Sequence, residues 1–184
     1  MPYRHLFSFY WYNKNMEERF STREKSPIEI EIANKGDLEN YKSILKEALR
    51  EHVDSFGRKL EDVEKRSEKE WTDDLENPEE PVFLAKSGPN PVGMVGIFES
   101  DEKHKFWNII SLYAKKDFAD QFVGKKLVKR AEEEIINRGG KRAVLYFRGT
   151  KKDLQSYYER LGFKLIPGAT HKEIWERMEK DLSA

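Results

Sequence analysis

The first clear pattern along the chain is PIEIEIA at 27–33, where Ile28, Ile30 and Ile32 fall on one side and Glu29 and Glu31 on the other. That alternation is the period of a half-buried strand. The period then changes. Leu38, Tyr41, Leu45, Leu49, Val53 and Phe56 recur at helical spacing behind Asp37, and Gly57 ends the run. This predicts one helix over 37–57, with Asp37 as its cap. A more polar helix is predicted from about Leu60 to Leu75, closed by NPEEP because proline cannot continue a helix.

PVFLAK, the turn SGPNP and VGMVGIF read as a hairpin, and DEKHK makes the next turn. FWNIISLYA is apolar on both faces, as a central strand would be. After the loop KKDFADQF, Val123, Leu127, Ala131 and Ile135 form one helical stripe that Gly139 and Gly140 stop. RAVLYF reads as a short buried strand. Thr150 and Asp153 are candidate caps for DLQSYYERLG, in which Leu154, Tyr157, Tyr158 and Leu161 share a face and Gly162 ends the helix before the strand FKLIP. HKEIWERMEKDL fits a helix through Ile174, Met178 and Leu182 and a strand through its alternation; periodicity alone leans to helix. The predicted order, β-α-α-β-β-β-α-β-α-β plus this tail, is that of a mixed α/β sheet in one domain over 27–184, with residues 1–26 as an aromatic N-terminal extension.

Composition narrows the chemistry. The 184 residues carry 34 basic and 34 acidic side chains, so the net charge is 34 − 34 = 0, which argues against a generic nucleic-acid or membrane-surface binder. The absence of cysteine excludes a disulfide scaffold, a thiol nucleophile and thiolate metal sites. The four histidines, at 5, 52, 104 and 171, have no metal-ligand spacing, and no metal is expected. No run of 18 apolar residues and no leader-like start is present, so a cytoplasmic protein without a membrane segment is expected. HLFSFYWY at 5–12 fits best as an extra strand or hydrophobic lid, with an acceptor-cleft lining or a homodimer contact as the alternatives.

The segment DFADQFVGKKL at 117–127 joins a strand to a helix N-terminus, the usual way to build an anion cradle from backbone amides. Such cradles favour glycine, and here Gly124 stands alone.

From Ile28 to about Leu182 the order of elements resembles the GNAT N-acetyltransferase superfamily. The resemblance is carried by SYYERLGF at 156–163, similar to the family's ending of its fourth helix, and by the ungapped spacing from LYA at 112–114 to GKKL at 124–127. It implies a sheet whose fourth and fifth strands splay apart to admit the pantetheine arm of acetyl-CoA, and a tail that is the last, antiparallel strand rather than a helix. It also implies that backbone amides at Leu112, Tyr113 and Ala114 polarise the thioester and that Tyr158 protonates the departing thiolate. A phenol of pKa about 10 suits that last role, being protonated at neutral pH.

The same register lays the family's Q/R-x-x-G-x-G/A loop on Ala119, Asp120, Gln121, Phe122, Val123 and Gly124, with Lys125 following and Lys151 where the family often has asparagine. Ala119 replaces the polar residue, Phe122 replaces the first glycine, and Gly124 keeps the last. A glycine there lets backbone approach the pyrophosphate, so the Phe122 side chain must turn aside or fill the space. Asp120 could cap the same amides in place of phosphate. Its repulsion of one ligand charge at about 6 Å would cost roughly 0.7 kcal/mol in water and roughly 3 kcal/mol at an effective dielectric near 20, between about threefold and about a hundredfold in affinity. Lys115, Lys116, Lys125, Lys126, Lys129 and Arg130 flank the loop and read first as a solvated helix face, second as phosphate partners.

Many relatives carry a glutamate where this chain has Asn108. Glu51, His52, Glu99 and His104 are the conceivable replacement bases, and each reads as an ordinary surface residue. The expected activity is transfer of acetyl from acetyl-CoA to a primary amine by direct attack. The alternatives are a non-catalytic GNAT-fold module with a weakened or closed CoA cleft, and a partner-binding protein that uses the aromatic N-terminus. No motif identifies the acceptor.

Overall fold

The computed structural model describes residues 26–171 and 174–183. Most of the 1–26 extension, with its aromatic segment 5–12, lies outside the described residues. The chain forms β1 (Ile28–Ile32), α1 (Leu38–Glu51), α2 (Leu60–Glu64), α3 (Glu68–Glu76), β2 (Val82–Ser87), β3 (Asn90–Asp101), β4 (Phe106–Ala114), α4 (Val123–Asn137), β5 (Arg142–Arg148), α5 (Lys152–Arg160), β6 (Lys164–His171) and β7 (Trp175–Asp181). The seven strands make one sheet in the order β1-β2-β3-β4-β5-β7-β6. Only β4 and β5 pair in parallel; every other ladder is antiparallel.

Each face has its own core, because helices cover both. On one face Ile44, Leu45, Ala48 and Leu49 of α1 and Trp71 and Leu75 of α3 pack on Leu84, Met94 and Tyr113. On the other the α4 stripe Val123, Leu127, Ala131 and Ile135 packs on Phe83, Val95, Ile97, Ile109, Leu145 and Phe147. Full burial of one such side chain stabilises by about 1.5–3 kcal/mol, so α4 is held firmly. By contrast α5 buries no residue completely and rests on the core through Leu154, Tyr158 and Leu161.

The tail is a strand, as the family resemblance implies and against the helical lean of its periodicity: β7 runs antiparallel between β5 and β6. Met178, fully buried, faces the α4 core.

Four local expectations are corrected. The first helix ends at Glu51, not at Gly57; His52 leaves helical geometry (φ −133°, ψ 53°), and Val53, expected on the apolar stripe, is 71% exposed. Asp, Ser and Gly at 54, 55 and 57 compete with a helix for backbone partners, and Ser55 N–H instead bonds to the His52 carbonyl at 2.9 Å. Asp37 makes no side-chain cap on α1; it accepts from Asn34 N–H and pairs with Lys86 at 2.6 Å.

The helix expected over 60–75 is two helices, since Ser67 and Glu70 form a reciprocal capping box that starts α3 afresh. Neither Thr150 nor Asp153 is the cap residue of α5, which begins after Lys151 with no side-chain cap bond. The short helices are fastened by Asp74, whose two carboxylate oxygens accept from Arg66 at 2.7 and 2.8 Å and which also accepts from the Tyr41 hydroxyl at 3.0 Å. Burial opposes charge on Asp74, but the Arg66 bonds outweigh it and hold the carboxyl below its usual range.

Candidate active site

The ladder between β4 and β5 contains three pairs, Phe106 with Arg142, Trp107 with Ala143 and Asn108 with Val144. Past Asn108 the strands part. Here β4 carries a bulge: Met94 pairs with Tyr113 and Gly96 with Ile110, so Ser111 and Leu112 together oppose Val95. Ser111 sits in the left-handed region at φ 54°. Among the described residues three non-glycines have positive φ, and two of them, Ser111 and Phe122, lie on β4 and on the loop that follows it; strained backbone of this kind gathers at functional sites.

The bulge sets which amides face the gap. Lys115 N–H donates to the Val92 carbonyl at 2.9 Å, which puts Tyr113, two residues back, in the β3 ladder. Alternation then turns the Ala114 amide to the opposite edge, toward the parted β5, while Leu112 belongs to the bulge itself. All three residues that the sequence register offers as carbonyl-polarising donors, Leu112, Tyr113 and Ala114, line the gap between β4 and β5.

A cleft of about 490 Å³ fills the gap and passes through the sheet. Its wall on the α4 and α5 side comes from Ile109, Leu112, Ala114, Leu145, Phe147, Leu154 and Tyr158. Its wall on the α1 side comes from Tyr113, His52, Ser55, Phe56 and Arg58, with Tyr146, Arg148 and Trp175. Arg148 reaches back over that side to Asp54 at 3.2 Å. The 52–58 segment, expected as the end of a helix, is therefore one side of the cleft, and nothing in its periodicity signals that.

Tyr158 stands on the cleft wall, its ring 6.1 Å from Phe163 and 5.3 Å from Tyr157, both edge-on. Burial, and then the neighbouring Tyr157, raises its phenol above the ordinary value. It therefore stays protonated at neutral pH, which suits a donor and excludes a resting base. Tyr113 is likewise pushed up, first by burial and then by Glu47 and Glu51, and its hydroxyl donates to Glu47 at 3.2 Å.

The loop between β4 and α4 is a 3-10 turn over Lys116–Gln121 that contains Ala119, Asp120 and Gln121, followed by Phe122. Phe122 has φ 54° and ψ 36°, the left-handed conformation that glycine adopts most readily, and its side chain is 67% exposed. The ring stands largely in solvent and is not among the residues that line the cleft. Asp120 is exposed. The first helical bond of α4, Lys126 N–H to the Phe122 carbonyl at 3.0 Å, leaves the N–H groups of Val123, Gly124 and Lys125 directed out of the helix end. Gly124 lies against α5: a Cβ there would come within 2.7 Å of the Tyr157 hydroxyl, so that side chain would have to shift. Lys125, in the first turn of α4, and Lys151, at the start of α5, are exposed, while Lys115 and Arg130 pair with Glu47 and Glu134 at 2.9 and 3.2 Å.

The left-handed backbone at Phe122 costs a non-glycine residue about 1–2 kcal/mol, partly offset on replacement by the greater unfolded-state freedom of glycine. Phe122→Gly is expected to raise stability by up to about 1 kcal/mol, or about 2–4 °C in melting temperature. If the ring lies outside the site, the same change alters acetyl-CoA affinity by less than about threefold. Calorimetric titration checks this, and a gain beyond about tenfold would mean that the ring blocks the site.

The sequence model of the Acetyltransferase (GNAT) family matches residues 42–163, well over half of the chain. The chain belongs to that family. Solved structures of the same fold include PaiA N-acetyltransferase from Thermoplasma acidophilum in complex with coenzyme A, at 19% identity and a TM-score of 0.65 over 84% of this chain and 99% of that one. Spermidine N-acetyltransferase from Vibrio cholerae, in complex with CoA and spermine, matches at 14% identity and a TM-score of 0.65 over 85% and 96%. A GNAT-family acetyltransferase from Streptococcus pneumoniae matches at 17% identity and a TM-score of 0.68 over 84% and 99%. At these identities the likeness is one of fold. No curated protein sequence matches this chain.

Proposed function

We propose that the protein is an acyl-CoA-dependent N-acyltransferase that moves acetyl from acetyl-CoA directly to a primary amine. The observation that carries this reading is the through-sheet cleft between β4 and β5, with bulged backbone on one edge and the Tyr158 phenol on its wall. CoA in the two complexed relatives is a property of those proteins, and it supports the same ligand here.

In this reading the pantetheine arm lies along the α4 and α5 side, and the pyrophosphate meets the amides of Val123, Gly124 and Lys125 at the end of α4. The loop residues Ala119 to Phe122 and the exposed Lys151 lie along the phosphates. The Leu112 and Ala114 amides donate to the carbonyl oxygen as it gains charge, an effect worth about 10²–10³ in rate per donor at comparable sites. Tyr158 gives its proton to the sulfur. The site needs no metal, and a cytoplasmic setting supplies acetyl-CoA.

The experiment is thiol release from acetyl-CoA with a panel of primary amines, namely spermidine, tyramine, free lysine and an alanine-initiated peptide, with product mass as confirmation. Amine-dependent release and an acetylated product support the reading. A protein that binds acetyl-CoA yet acetylates neither the panel nor its own lysines would instead be a non-catalytic module.

A further inference from the structure

On the reading above, we propose that His52 is the general base of the reaction, taking the proton from the acceptor amine on the α1 side of the cleft. An amine arrives as an ammonium ion and must lose a proton before its lone pair can attack. The strand position that Asn108 fills cannot serve: the side chain is an amide, it is buried, and its Oδ1 has no hydrogen-bond partner.

Elimination among the lining side chains leaves one group. Arg58 and Arg148 stay charged. The Tyr113 and Tyr158 phenols are held protonated by burial. Phenols as a class are protonated at neutral pH and make poor bases, and no carboxylate among the described residues lines the cleft. Histidine is the side chain whose charge ordinarily changes between pH 5 and 8.

The geometry agrees. Helix α1 ends just before His52 and delivers its ring to the cleft, where it packs edge-on against Tyr113 with centroids 5.9 Å apart. Its Nε2 is 3.8 Å from Glu51 Oε2, too far for a hydrogen bond, so the ring is not committed to that carboxylate. The other charged groups on or beside this wall are Glu47, which accepts from Tyr113, Arg58 and the Arg148–Asp54 pair. His52 and Tyr158 stand on opposite walls of a cleft that traverses the sheet, so the nucleophile is deprotonated on one face while the thiol leaves on the other.

The protons balance. The ammonium gives one to His52, which releases it to solvent. The nitrogen lone pair forms the C–N bond, collapse breaks the C–S bond, and Tyr158 protonates the sulfur. The second nitrogen proton restores the Tyr158 phenol through solvent, leaving amide, thiol and one free proton.

The test is the pH dependence of kcat/KM for His52→Gln, with the best amine of the panel above. A lost base is expected to cost about 100-fold at pH 7. The deficit should shrink toward unity as the pH approaches the amine's own pKa, where free amine no longer needs a base. Imidazole added to His52→Ala should restore activity. The melting temperature and the acetyl-CoA-induced shift of both variants should match the wild type. A deficit that is constant with pH, or a loss under threefold, overturns the assignment while leaving the transfer reading intact. Wild-type protein that transfers acetyl to no amine overturns both.

Discussion

Tyr158→Phe is expected to lower kcat by about 10²–10³ while changing the dissociation constant of acetyl-CoA by less than about threefold. The ring contacts with Phe163 and Tyr157 are made by carbon, and they survive in phenylalanine. Only the hydroxyl is lost, and with it the proton that the departing thiolate needs. A thiolate is a tolerable leaving group, so some turnover persists. If Tyr158 were a packing residue alone, the same variant would keep its kcat within about twofold and become slightly more stable, because burial penalises a polar oxygen. Pre-steady-state thiol release, combined with calorimetric titration of acetyl-CoA, separates the two outcomes.

Gly93→Val is expected to destabilise the fold by about 3 kcal/mol and to lower the melting temperature by about 6–12 °C. Gly93 lies on β3 opposite Ala114, with Val123 and Leu127 of α4 packed over it. A Cβ at this position would lie 2.8 Å from the Tyr113 carbonyl oxygen, 2.9 Å from Leu127 Cδ1 and 3.0 Å from Val123 Cγ1. The first contact is backbone and cannot rotate away. The others belong to the first and second turns of α4, so relief requires that this end of the helix lift from the sheet. Acetyl-CoA affinity should fall together with stability, because the displaced turn holds the amides proposed for the pyrophosphate. Thermal unfolding and titration of the same sample measure both. A variant as stable as the parent would mean that α4 is packed less tightly than described.

Much of this was legible along the chain, and the reasons differ by element. The Ile28, Ile30 and Ile32 alternation and the α4 stripe are local periodicities, and each fixes its own element. The tail is a different case. Its strand Trp175–Asp181 is paired on both edges but has Met178 as its one fully buried residue, so its polar positions blur the two-residue period. The order of elements in the family, not periodicity, revealed it. The break between α2 and α3 was written in the sequence as Ser67 with Glu70 three residues on, a capping box in the middle of an apparently continuous helical run.

The site was legible by half. SYYERLGF located Tyr158, and LYA located the edge of β4. Phe56, Arg58 and Trp175 gave no signal and His52 stood only as one of four conceivable bases, since these residues meet only when β4 and β5 part after three pairs and the 52–58 segment folds over the opening. That is a non-local event. Phe122 was the other undecided point. Its replacement of a glycine suggests a filled cradle, yet the backbone keeps the left-handed conformation and sends the ring to solvent. Residue identity alone does not carry that choice of direction.

The most direct test is thermal unfolding with and without acetyl-CoA. A ligand at one hundred times its dissociation constant adds about 2.7 kcal/mol to stability, so an open cleft between β4 and β5 should raise the melting temperature by about 5–10 °C. An unchanged melting temperature at millimolar acetyl-CoA would contradict the account, leaving a GNAT fold whose cleft does not take the cofactor.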